Sequence, residues 1–215
     1  NKASGISIDI WSRASGGRLP AEICQREMEK ERNDVWATTQ VLIAEGVRLV
    51  GQNELEEAAK VLTRAREVCR KAGMMNAWVS PVLPWLATVH RLRWQRSTDL
   101  VPLRRRQLLG RARRAARQAL SVARKFKTDL PHALRAAGLI AAMQGSIGKA
   151  RKHLNRSLAV AERQGAKFEH AQTLLARGLV GRKVGWPEAE QDVTAARQAL
   201  RALGADFALD ETEAP

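Results

Sequence analysis

Arginine crowds one stretch of this chain. Arg91, Arg93, Arg96, Arg104, Arg105, Arg106, Arg111, Arg113, Arg114, Arg117, Arg124, Lys125 and Lys127 stand there against a single acid, Asp99. A guanidinium is permanently charged and offers a planar fork of donors that matches carboxylate or phosphate. The chemistry available is therefore capture of an anion. The chain of 215 residues carries a net charge of +15, and most of that excess belongs to this segment. The end of the chain has the opposite sign, with Asp206, Asp210, Glu211 and Glu213.

Spacing turns the segment into a surface. With Ala112 at zero and about 100° per residue, Leu108, Leu109, Ala116, Ala119, Leu120 and Ala123 fall in one arc. Arg106, Arg113, Arg117 and Arg124 fall outside it at about 100° to 140°, with Arg114 and Lys125 just beyond. One side of the helix packs and the other presents cations. Together with Arg104 and Arg105 these form a candidate polyanion or acidic-partner stripe over residues 104–127. Three occupants fit it: solvent, with partial pairing to Asp99, Asp129 and Glu67; an acidic protein surface; or nucleic acid. Against nucleic acid, the stripe lacks the interleaved aromatic rings on which bases stack.

Tryptophan supplies the second candidate surface. Trp78, Val82 and Trp85 are spaced i, i+4, i+7 on one predicted helix face, and Trp94 follows near its end. With Arg91 and Arg93 they have the composition of an interface hot spot, or they pack between helices. Trp36 and Trp186 read as packing residues.

Bond-making chemistry finds no foothold. Gly145-Ser146-Ile147-Gly148-Lys149 lacks the spacing of a phosphate loop. His90, His132, His153 and His170 are scattered, and Cys24 and Cys69 form no Cys-x2-Cys pair, so no metal site is expected. Nothing sets a nucleophile beside a base, so no catalytic residue and no cofactor are assigned and the chain is read as a non-enzyme. Both cysteines fall on apolar helix positions and are expected to be reduced and buried. No apolar run reaches the length of a membrane span and no secretory signal opens the sequence, so a cytoplasmic setting is expected.

The elements that carry these residues follow one plan. Hydrophobic content is 45% and charged content 27%, values of a folded globular chain. Four segments share one spacing: Ala58, Leu62, Ala65, Cys69, Gly73; Ala112, Ala116, Ala119, Ala123, Lys127; Ala150, Leu154, Ser157, Ala161, Gly165; and Ala189, Val193, Ala196, Leu200, Gly204. Steps of +4, +7, +11 and +15 place four residues on one helix stripe and the fifth beyond the helix end, where glycine stops it in three copies. Each copy follows a more uniformly apolar helix: residues 34–50 with 54–72, 76–95 with 103–126, 130–144 with 147–164, and 167–183 with 188–203. Pro81 and Pro84 should kink or delay the third of these helices. Before residue 34, the alternation Ile6-Ser7-Ile8-Asp9-Ile10-Trp11 predicts an extended arm, and 21–32 a charged helix.

These repeats, above all Gly145-Ser146-Ile147-Gly148-Lys149-Ala150 with Leu154, Ser157-Leu158 and Ala161-Glu162-Arg163-Gln164-Gly165, and Gly185 through Ala189 with Ala199 through Ala205, resemble tetratricopeptide repeats. The likeness is to the longer-period kind found in bacterial regulators that join an ATPase to a helical sensor, the maltose-regulator class and hybrid kinase–ATPase proteins. The resemblance implies an all-α right-handed superhelical stack of antiparallel helix pairs, an α-solenoid whose work is protein–protein interaction in signalling. The expected organisation is an N-terminal arm and charged helix over 1–33, a repeat domain of about four helix pairs over 34–205, and an acidic tail over 206–215. The expected function is a scaffold or sensor part of a larger bacterial regulatory protein. Its partner would be another protein or another domain of the parent; binding of nucleic acid or another polyanion through the arginine stripe is the alternative.

Overall fold

A computed structural model describes residues 2–30, 33–98, 100–206 and 208, the side chains of residues 2–4 excepted. All regular structure among them is helical. The chain divides into two compact units, residues 1–126 and 127–215.

The first unit holds α1 (Lys2–Ala14), α2 (Ala21–Glu29), α3 (Val35–Gly51), α4 (Leu55–Lys71), α5 (Val82–Arg96) and α6 (Pro102–Ala123). The second begins with a single 3-10 turn at Lys127–Asp129 and continues with α7 (Leu130–Met143), α8 (Ile147–Arg163), α9 (Lys167–Val184) and α10 (Ala189–Ala202). Consecutive helices pack as pairs: α3 with α4, α5 with α6, α7 with α8 and α9 with α10. Within each unit the second helix of one pair also packs on the first of the next, α4 on α5 and α8 on α9.

The small-residue stripe is the seam of every pair. Ala58, Leu62, Ala65 and Cys69 are fully buried, and the corresponding residues of α6, α8 and α10 are buried as well. The partner helices α3 and α7 are buried nearly all round, which explains their weaker polar and apolar segregation in sequence. Three copies end alike. Gly73, Gly165 and Gly204 take φ of +63°, +62° and +65°, and the next amide donates back to the last stripe residue: Met74 to the Cys69 carbonyl, Ala166 to Ala161 and Ala205 to Leu200, each at 2.9 Å. This closure satisfies carbonyls the helix end would otherwise orphan. The second copy, with Lys127 in that place, does without it: α6 stops at Ala123 and Lys127 starts the 3-10 turn.

Two expectations about the first unit are corrected. Residues 6–11 are helical, inside α1, and not extended. The isoleucine alternation is shorter than the stripe Gly5, Ile8, Ser12, spaced i, i+3, i+7, which packs on α3. Ile8 and Ser12 are buried, a β-carbon on Gly5 would sit 3.2 Å from the Ala37 carbonyl oxygen, and the Ser12 hydroxyl donates to the Ala44 carbonyl at 2.7 Å. Ile10, on the same side of the alternation as Ile8, is left about half exposed, as is Trp11. The helix placed over 76–95 starts only at Val82, directly after Pro81: the delay expected of the prolines is present, since the fixed φ of Pro81 suits a helix start, but residues 76–81 are not part of the helix. Trp78 therefore lies in the turn before α5. Glu31, Arg32 and the acidic residues after Asp206 lie outside the described residues.

Candidate functional site

The arginines of α6 occupy its solvent side because alanine occupies the other. Ala112, Ala115, Ala116, Ala119 and Ala123 are buried against α5, and Arg104, Arg106, Arg113, Arg114, Arg117 and Arg124 are exposed. Arg105 differs. On the wheel it falls at about +20°, inside the packing arc, and it is partly covered. Its guanidinium lies over the Trp94 ring, 4.6 Å from the centroid, a cation–π contact.

None of these arginines makes an ion pair among the described residues, whereas several arginines on other helices do. Arg48 pairs with Glu45 at 2.6 Å, Arg70 with Glu67 at 2.6 Å, Arg177 with Asp192 at 2.6 Å and Arg182 with Glu190 at 2.6 Å. Arg135 pairs with Glu169. Of the acids expected to soften the stripe, Glu67 is held by Arg70, Asp129 is buried ahead of α7, and Asp99 lies outside the described residues.

The tryptophan set is dispersed. Trp78, 47% exposed, meets Trp36 with ring centroids 5.8 Å apart and a 47° tilt. Trp85 is half-buried on α5 and Trp94 stands at its end. Arg91 donates to Gln95 on its own helix. Arg93 donates to Glu56 of α4 at 3.0 Å. Of the predicted set, Trp94 meets the arginine face, through Arg105.

Sequence reasoning passed over the aliphatic residues between the two helices. Leu100, Val101 and Leu103 are 39%, 61% and 68% exposed. Leu100 helps line an open hollow of about 330 Å³ with Trp94, Thr98, Pro102 and Arg105, and Val101 and Leu103 flank Pro102 in the chain. The available signal was a Leu-Val pair in a joining segment longer than the other turns.

Positive potential reaches the helix interior. His90 of α5 has a pKa pushed down to about 4, first by burial and then by Arg93, Arg111 and Arg66. Three successive helices thus bring a cation toward one neutral imidazole. The thiols are quiet: Cys24 and Cys69 are unbridged and buried, and burial raises both, Cys24 to about 12. Among the described residues no cluster of His, Cys, Asp and Glu is placed to hold a metal, and no helix is long and apolar enough to cross a membrane. No family model matches the chain, and no curated protein matches it.

Proposed function

We propose that the chain is a tetratricopeptide-like interaction module that docks an acidic protein surface on the arginine face of α6. The observation that carries this reading is the density of unneutralised charge: Arg104, Arg106, Arg113, Arg114 and Arg117 on α6 and Arg124 at its end are all exposed, and none meets a carboxylate among the described residues. A 22-residue helix spans about 33 Å, and physiological salt screens charge over only about 8 Å. Neighbouring guanidiniums on α6 therefore repel one another in the free protein. An acidic partner relieves that repulsion on binding and gains rate from electrostatic steering.

The paired helices, their small-residue seams and the recurrent glycine closures support a right-handed superhelical stack of the kind the resemblance implies. In that setting the module serves as scaffold or sensor within a cytoplasmic bacterial regulator, with a protein or another domain of the parent as partner. The exposed aliphatics beside the arginines favour protein over nucleic acid, because Trp94 and Trp78 have ring faces already engaged by Arg105 and Trp36.

A direct test titrates the chain into a labelled glutamate-rich peptide and into an oligonucleotide of equal charge across a salt series. The reading requires the peptide to bind, and binding to fall at least about tenfold when Arg106, Arg113, Arg117 and Arg124 become Gln. Unchanged peptide affinity in that variant removes the arginine face. An oligonucleotide that binds more tightly, with a steep salt slope, assigns the face to phosphate instead.

A further inference from the structure

The joint between α5 and α6 is where unneutralised charge meets unburied apolar surface. Val101 and Leu103 are the most exposed large hydrophobic residues described. Next to them the 330 Å³ hollow has Trp94, Leu100 and Pro102 for walls and Arg105 at its edge. Its size is near the lower end of ligand pockets, roughly 300 Å³, which suits one large side chain. Arg105 Nε is buried with no acceptor among the described residues. The first turn of α6 has neither an acidic residue nor a side-chain cap. It carries Arg104 and Arg105 at the positive end of the helix dipole, the end where cations are least favoured.

We infer that this joint is the address on the arginine face for an acidic segment bearing one large apolar side chain. The inference rests on the reading that α6 meets an acidic protein. The apolar side chain enters the hollow against Trp94 and Leu100 and covers Leu103. Carboxylates on either side of it meet Arg104, Arg105 and Arg106 and relieve the charge at the helix start. Charge complementarity selects the acidic flanks, and the hollow selects the anchor between them. An anchor of this kind concentrates binding energy in one desolvated pocket surrounded by weaker contacts. A nucleobase is a poorer occupant, since stacking needs the open aromatic face that Arg105 covers.

The test measures fluorescence anisotropy of the full chain with three labelled probes: a glutamate-rich peptide with one central Phe, the same peptide with Ala in its place, and a single-stranded oligonucleotide of equal charge. The Phe peptide is expected to bind about tenfold more tightly than the Ala peptide. The double variant Leu100→Ser, Leu103→Ser, altered at exposed positions and checked for unchanged helicity, is expected to erase that advantage and to leave the Ala peptide's affinity as it was. Arg105→Gln is expected to weaken both peptides. Equal binding of the Phe and Ala peptides to the natural chain overturns the inference and leaves the acidic-partner reading standing. Failure of both peptides to bind, or preference for the oligonucleotide, overturns both.

Discussion

Gly138 of α7 lies so close to Leu154 of α8 that a β-carbon on the glycine would come within 2.8 Å of Leu154 Cγ. The same relationship recurs between Gly46 and Leu62 at 2.5 Å and between Gly178 and Val193 at 2.6 Å. In each, the second stripe residue is a large knob and the facing helix supplies a glycine to receive it. The α5–α6 pair is built the other way. Its second stripe residue is Ala116, and α5 contains no glycine. Bulk has moved from one side of the seam to the other, so each interior keeps its close packing.

Gly138→Ala is therefore expected to destabilise the chain by about 1–2 kcal/mol. Alanine is the better helix former by about 1 kcal/mol, but overpacking against a fully buried leucine costs more. Gly110→Ala in α6, where nothing lies within 4 Å of the new carbon, is expected to stabilise by about 0.5–1 kcal/mol. Denaturant midpoints for the two variants should move in opposite directions.

A second stability prediction concerns the clamp between α9 and α10. Arg177 donates to both carboxylate oxygens of Asp192, at 2.6 and 2.7 Å, and to Asn155 at 2.9 Å. Asp192 is 5% exposed. Arg177→Met leaves that carboxylate buried and unpaired and should cost about 3 kcal/mol, whereas adding Asp192→Leu should recover most of the loss. Urea unfolding of the two variants measures the difference; equal losses would show that the pair is not coupled.

The repeats were legible because one physical demand, a close helix seam, writes the same residues at the same spacing in four places. The predicted helix boundaries within α3–α4 and α7–α10 fall within a residue of those observed. The start of the chain was misread because Ile6, Ile8 and Ile10 alternate over a stretch too short to compete with the packing of Gly5, Ile8 and Ser12 on α3. Only the partner helix makes that stripe meaningful. Trp78 was misplaced because spacing was carried through Pro81, where the chain begins its helix anew. On α6 the wheel separated packed from exposed residues, but Arg105 was counted with the exposed stripe although its position at about +20° lies in the packing arc. It could not reveal which arginines lack a carboxylate, because most ion pairs of the second unit join different helices, as Arg177 does with Asp192. Nor could it reveal the hollow, which exists only where the end of α5 approaches the start of α6.

Gln40 of α3 marks a local sacrifice of stability. It is 1% exposed, and neither its amide nitrogen nor its amide oxygen has a hydrogen-bond partner among the described residues. Burying an amide unpaired costs about 1–3 kcal/mol. Gln40→Leu, of similar volume, should raise stability by about 1–2 kcal/mol, whereas Gln40→Ala should lower it by opening a cavity. Differential scanning calorimetry distinguishes the two directions, and a Leu variant that melts below the natural chain would show that the amide is satisfied.

His90 ties the stability of the first unit to pH. Its pKa in the fold is about 4, below the 6.5 of an unstructured histidine. Between those values the unfolded chain holds a proton on this side chain that the folded chain does not, so lowering the pH favours unfolding. The contribution is present in full above about pH 6.5 and is lost progressively as pH falls toward 4, in total on the order of 3 kcal/mol. Burial is the first cause, and Arg93 on the same helix, Arg111 on α6 and Arg66 on α4 add to it. His90→Gln removes the titrating group and leaves those arginines in place. The stability difference between natural chain and variant should therefore shift in the variant's favour as the pH drops through this window, while titration of the carboxylates, common to both, cancels. Urea midpoints that fall in parallel for the two proteins from pH 7 to pH 4 would show that His90 is accessible enough to be protonated without loss of the fold.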